Sequence, residues 1–323
     1  MNLEQNELYT MIDEKFIDSF QGNHLTFMKK YYYKYYYDYC VFHHRKPLQE
    51  SEFYRNMHRR RIKLYQLCCP YCRTILLFVH DTKMHGKDSC LNYCCNCGRT
   101  STLKNIINQI SRYKRFSYIN SIGLKTIKEQ NPEKEDWLIG YDCYQFELIE
   151  LASIIEIIFR DYFEALIYIS NYGIENEYIR KIIKMHTGND FMNIEKANNN
   201  FKKAFNIDLK SHFEKGIWND LLDIVNIRNM VVHNNGMVDN HFKSTKSYER
   251  TKKKINGDLF KLERADINKY LSSVIYAVTI ISNLYLEYYY EHQSKVIANH
   301  YFNMYPSTNE IKLPSSEESE NNS

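Results

Sequence analysis

Proline and glycine are scarce in this chain, five and ten among 323 residues. Sandwiches and barrels need many such residues at their turns, so the shortage points to helices. The strings G-x-x-x-x-G-K-S/T, G-x-G-x-x-G and G-x-S-x-G are absent. Phosphate-loop nucleotide hydrolysis, dinucleotide binding and serine-hydrolase chemistry therefore find no support. Long apolar runs are missing too. The two most apolar windows, 148–159 and 274–286, are interrupted by Glu156 and by Ser282 and Asn283. Both fall short of the ~20 residues that span a bilayer, and both are read as core helices. The start, MNLEQNELYTMIDEKF, is polar and acidic rather than basic and then apolar. No signal peptide is expected, which implies a cytoplasmic protein with no membrane partner. Net charge is only +4, a balance that permits a nucleic-acid partner without requiring one.

What remains is a mainly α chain with enough apolar residues, 44%, for real cores. Residues 1–65 are read as a helical region, with a tyrosine run over 31–37 and the basic patch His58-Arg59-Arg60-Arg61-Ile62-Lys63. Residues 66–100 hold a cysteine cluster, and 101–140 form a polar helical linker containing Pro132. A helical bundle over 141–300 follows, and 301–323 is read as a disordered tail. Within the bundle, the apolar spacing predicts helices over 143–170, 177–186, 193–206, 215–233 and 266–291. The first has its apolar residues at 148, 151, 155, 158 and 166; the last has Leu271, Val274, Val278, Ile281 and Leu284. The tyrosine run could stack on bases, but one aromatic helix face turned to a core is the simpler reading. His43, His44, His80 and His85 could extend a metal site and are read as ordinary surface residues.

Cys69-Pro70-Tyr71-Cys72 and Cys94-Cys95-Asn96-Cys97-Gly98 form two C-x2-C pairs separated by 21 residues. Two such knuckles place four thiolates around one Zn2+, and Pro70 and Gly98 suit their tight turns. The intervening Arg73–His80 segment is strand-like, so the unit resembles a zinc ribbon. The expected ligands are Cys69, Cys72, Cys94 and Cys97; Cys68, Cys90 and Cys95 leave the set ambiguous, with Cys90 the first substitute. Four thiolates leave no open position for water, so the zinc is structural and no chemistry is expected at the metal. A disulfide scaffold is disfavoured by the expected compartment. The ribbon could bind RNA, DNA or a protein, with Arg59, Arg60 and Arg61 on phosphates.

Ile217, Leu221, Ile224 and Val231 mark a buried stripe on the 215–233 helix, and Arg228 falls on it. A guanidinium there needs anionic or hydrogen-bonding partners, because an unpaired buried charge is costly. Arg-to-His spacing alone is weak: Arg73/His80 and Arg180/His186 show it as well. Arg228 differs in its apolar setting and in the Asn234-Asn235-Gly236 stop just after His233. Helical geometry sets Arg228 and His233 about 140° apart, whereas Asn229 and His233, at i and i+4, share a face. The alternative is structural, with Arg228 paired to Glu147, Glu150 or Glu156.

The string Arg228-Asn229, three residues, His233-Asn234-Asn235-Gly236, then Met237-Val238-Asp239, resembles the HEPN superfamily of prokaryotic toxins, defence proteins and RNA-processing enzymes. Gly257-Asp258-Leu259-Phe260 before the last helix fits that layout, and the resemblance covers roughly 141–300. It implies a HEPN-like helical bundle that acts as a homodimeric, metal-independent endoribonuclease, with Arg228, Asn229 and His233 catalytic and no cofactor for catalysis. His233 would move a proton, Arg228 would neutralise the phosphorane-like charge, and Asn229 would orient His233 or a phosphate. Products would carry 2′,3′-cyclic phosphate and 5′-OH ends. The expected setting is antiviral defence or toxin–antitoxin biology, with RNA and a possible protein partner or antitoxin. The alternatives are a non-catalytic zinc-ribbon sensor or adaptor, and a nucleic-acid-binding regulator that dimerises through the helical domain.

Overall fold

The computed structural model describes residues 8–59, 61–80, 93–130, 137–170 and 177–304. It is mainly helical, with a small antiparallel sheet, and the chain divides into two compact units. Of the expected disordered tail over 301–323, residues 301–304 instead end the last helix, and the remainder lies outside the described residues, as do Pro132, His85, Cys90 and Arg60.

The first unit draws on 102–167 and 174–285. Its helices are α4 (Thr102–Gln130), α5 (Trp137–Ser170), α6 (Glu177–Thr187), α7 (Ile194–Phe205) and α8 (Lys215–Asn234). Two short helices, α9 (Asn240–Lys243) and α10 (Lys246–Thr251), precede a hairpin of β4 (Ile255–Asn256) and β5 (Leu259–Phe260). Helix α11 (Arg264–Met304) starts in this unit, and its residues from 286 belong to the other. Leu148, Leu151, Ile155, Ile158 and Leu166 of α5 are all buried, as their spacing predicts. The polar interruption at Ser282 is satisfied internally, its hydroxyl lying 2.6 Å from the Tyr162 hydroxyl. Phe163 packs edge-on to Phe201 and Phe205, which fastens α7 to α5.

Both ends of α7 carry their own stop signals. Asn193 at the N-cap accepts the Lys196 N–H at 3.1 Å, and Asn206 closes the other end in the left-handed conformation. Helix α11 runs to Met304 rather than ending near 291. Past the expected end, Val296, Ile297, Ala298 and Tyr301 still supply a buried face, and no proline or glycine breaks the run.

The second unit draws on residues up to 101, 168–173 and those from 286 onward. Strands β1 (Tyr9–Met11), β2 (Lys63–Cys68) and β3 (Ile75–His80) form its antiparallel sheet in the order β1-β2-β3. Tyr9 sits opposite Leu67, and Lys63 opposite His80. Residues 9–11, read from the sequence as part of a helical region, form one of the two edge strands. Three residues are too few for an alternation to register. The helices here are α1 (Glu14–Asp18), α2 (Gly22–Phe42) and α3 (Glu50–His58). The tyrosine run lies on α2, with Tyr32, Tyr33 and Tyr36 buried and Tyr36 stacked on Phe53 at 4.6 Å. Tyr33 also donates to the Leu48 carbonyl at 2.9 Å. These three rings are core, as the simpler reading expects, while Tyr31, Tyr35 and Tyr37 are half-buried.

Candidate functional site

The chemistry-bearing residues gather in two places, one in each unit. In the sheet unit, the Sγ atoms of Cys69, Cys72, Cys94 and Cys97 lie within 4.8 Å of one another. Cys69 and Cys97 are 3.7 Å apart and Cys72 and Cys94 are 3.6 Å apart. Thiolates about 2.3 Å from one tetrahedral ion stand about 3.8 Å from each other, so the four sulfurs fit such an ion. Neither separation is that of a disulfide, about 2.05 Å.

The two knuckles repeat one backbone pattern. Arg73 N–H donates to the Cys69 carbonyl at 2.8 Å, and Gly98 N–H donates to the Cys94 carbonyl at 2.9 Å. Both residues that follow a second cysteine are left-handed, Arg73 at φ +60° and Gly98 at φ +72°. Gly98 adopts that region without cost, and Arg73 does not. Burial raises the Cys72 thiol, but hydrogen bonding from Thr74 and Asn96 outweighs it and brings the group down to about 6. A ligand thiolate is therefore available near neutral pH. Leu8, Tyr9, Tyr65 and Leu67 pack around Cys69 and Cys94. Cys68 is buried in β2, its carbonyl taken by the Tyr289 hydroxyl, and Cys95 is exposed. Neither joins the cluster.

In the helical unit, Arg228, Asn229 and His233 of α8 line one open cleft of about 500 Å³. Its other walls come from the start of α7 and from α9. The core stripe of α8 runs through Leu221, Ile224, Ile227 and Val231, all buried. Ile227 takes the place expected for Arg228, because i+3 and i+4 compete for the same stripe. Arg228 stands half-buried at the stripe's edge, and Ile217 is half-buried as well.

The alternative reading, an ion pair of Arg228 with Glu147, Glu150 or Glu156, finds no such pair among the described residues. Glu147 is taken by Arg264, with Nη1 to Oε2 at 2.8 Å and Nη2 to Oε1 at 2.9 Å. Glu156 is taken by Arg160 at 2.9 Å. Among the described residues Arg228 makes no salt bridge; its Nη1 donates only to Asn229 Oδ1, at 3.1 Å. Asn229 thus steers the guanidinium from the next position in the helix. His233 is exposed in the last turn of α8.

The chain reverses at once after His233. Asn235 is left-handed at φ +51° and Gly236 at φ +76°. A Cβ on Gly236 would stand 1.9 Å from the Tyr141 hydroxyl oxygen, so only glycine fits there. The reversed strand then pairs with the hairpin: Phe260 N–H donates to the Gly236 carbonyl at 3.1 Å, and Val238 N–H to the Asp258 carbonyl at 2.8 Å. The Gly257-Asp258-Leu259-Phe260 string therefore braces the end of α8. Asp239 caps α9 by accepting the Phe242 N–H at 2.7 Å, and Phe242 is buried.

Two further residues of the cleft wall escaped the sequence reading. Asn226 donates to Ser247 Oγ at 2.9 Å, and Ser247 accepts from Arg250, whose guanidinium is forked onto the buried Asp223. His241, on α9, is the other. Of the other two Arg–His pairs, His80 is buried in β3 and His186 is exposed on α6, and neither lines this cleft. No family model, curated protein or solved structure matches the chain.

Proposed function

We propose that the chain is a HEPN-type endoribonuclease in which Arg228, Asn229 and His233 cleave RNA by intramolecular attack of a ribose 2′-OH. The observation that carries the reading is Arg228 itself. A half-buried guanidinium lines an open cleft and, among the described residues, makes no ion pair, the two acids of the cleft being held by other groups; that is the arrangement an anionic ligand completes. His233 on the same cleft supplies an imidazole, a group able to move a proton. Asn229 holds the guanidinium in place, and Arg228 in turn offsets the charge that builds on the phosphoryl oxygens. The reaction gives a 2′,3′-cyclic phosphate and a 5′-OH. In the resemblance that suggests this function, two copies of the chain face each other and share the site.

The four cysteines would hold one Zn2+ as a closed structural centre that fixes the sheet, leaving RNA or partner binding to the surrounding surface. Defence or toxin–antitoxin biology is the setting such an enzyme suits. The test is cleavage of a mixed RNA in EDTA by wild type, R228A and H233A. We expect wild-type cleavage to survive the chelator, and each variant to lose about 10²-fold or more. Equal rates for all three would remove the mechanism. RNA binding without cleavage would favour a sensor or adaptor instead.

A further inference from the structure

We infer that His241 is the second proton-transferring group of this cleft, so that one chain carries both the acid and the base of the reaction. The inference rests on the ribonuclease reading above, departs from its shared two-copy site, and extends the chemistry to a residue outside the Arg–His string. The charged and titratable groups lining the cleft are Arg228, His233, His241, Glu195 and Asp239. Both acids are already engaged. Asp239 caps α9, and Glu195 lies 3.5 Å from Lys210 Nζ and 3.4 Å from the Trp218 indole nitrogen. Among the described residues, neither imidazole has a side-chain hydrogen bond or an ion pair. Two imidazoles without a side-chain partner and a guanidinium without an ion pair, held by Asn229, therefore share a cleft.

The placement of His241 follows from the local fold rather than from chance exposure. The left-handed pair Asn235-Gly236 turns the chain back, and the Met237 bridge to Leu259 fixes the return path. The Asp239 cap then starts α9, and buried Phe242, edge-on to Phe260 at 5.9 Å, pins it. With Phe242 turned inward, its neighbour His241 is exposed and lines the cleft.

The chemistry needs two such groups. The 2′-oxygen forms a bond to phosphorus while the bond from phosphorus to the 5′-oxygen breaks. One imidazole accepts the 2′-OH proton, and the other, as imidazolium, gives a proton to the departing 5′-oxygen. Arg228 offsets the phosphoryl charge during the exchange. A lone histidine in each chain would have to borrow its complement from a second copy; His233 with His241 needs no such loan.

The experiment is the pH dependence of kcat/KM for RNA cleavage by wild type, H233A, H241A and H241N, with thermal unfolding recorded for each. The expected wild-type profile is bell-shaped. Each histidine variant should fall about 10²-fold or more and lose one limb of the bell, while its unfolding temperature stays at the wild-type value. An equimolar mixture of H233A and H241A should stay inactive. Full activity of both His241 variants beside inactive R228A and H233A would overturn this inference and leave the ribonuclease reading standing. Recovery of activity in the mixture would overturn the single-chain pair. Absence of cleavage by wild type at every pH would overturn both.

Discussion

Glu147 shows how much of this fold hangs on single polar side chains. It is fully buried, and besides the Arg264 fork it accepts from Tyr113 at 3.0 Å, Ser117 at 2.8 Å and Asn120 at 3.2 Å. Those donors come from α4 and from the start of α11, so one carboxylate on α5 ties three helices. Removing it leaves a guanidinium, two hydroxyls and an amide short of an acceptor. Glu147→Ala should therefore cost about 3 kcal/mol or more in urea unfolding. An unchanged midpoint would show that water replaces the carboxylate. Gly236 is a second such position. Gly236→Ala forces a methyl against Tyr141 and Gln145 in a left-handed backbone, and should lower stability by about 1–3 kcal/mol. Because the same residue sets the path from His233 to His241, RNA cleavage should fall along with it, measurable on protein held well below its unfolding temperature.

Among the elements, the helices of the 141–300 region were legible because their apolar spacing is regular and their ends are marked by Asn and Gly. The four cysteines were legible because knuckle spacing is a chemical requirement. Strand β1 was not, being too short to show a period, and its pairing with β2 joins residues more than fifty positions apart. Arg228 shows the limit of periodicity most clearly. A stripe read to the nearest residue put it in the core, and Ile227 takes that place. Membership of the cleft was half legible: the α8 residues could be named, but His241 and Asn226 depend on the reversal at Gly236 and on the Asp223–Arg250–Ser247 relay. For the knuckles, purified protein should carry one zinc per chain by elemental analysis. Cys69→Ser or Cys97→Ser should abolish it, and zinc should be released as pH falls and protons compete for the thiolates. A stoichiometry near zero from metal-supplemented growth would contradict a metal centre. Arg73→Gly should be neutral or stabilising by up to about 1 kcal/mol, since it relieves a left-handed arginine.

For the whole molecule, the modest net charge conceals an uneven distribution. Residues 228–254 hold seven Lys and Arg against two acids, a net +5, while the entire chain is only +4. Arg250, Lys252 and Lys254 are paired to Asp223, Glu249 and Asp266. Lys243, Lys246 and Lys253 are exposed and, among the described residues, in no ion pair. They flank the cleft in sequence and suit a phosphate backbone entering it. Replacing all three with Ala should flatten the slope of log Kd against log salt for single-stranded RNA by about 2, with little change in the order of preferred sequences. No helix among the described residues is long and apolar enough to cross a membrane, which agrees with the short apolar windows of the sequence.

The central claim, that the Arg228 and His233 cleft cuts RNA through its own 2′-OH, is tested most directly by the ends it leaves. An oligoribonucleotide with a single cleavable site is incubated with wild-type protein in EDTA, and its product ends are mapped beside those from a copy that is 2′-deoxy at that site. The account predicts 2′,3′-cyclic phosphate and 5′-OH ends from the first and no cleavage of the second. Cleavage of the 2′-deoxy copy, or products ending in 3′-OH and 5′-phosphate, would contradict it.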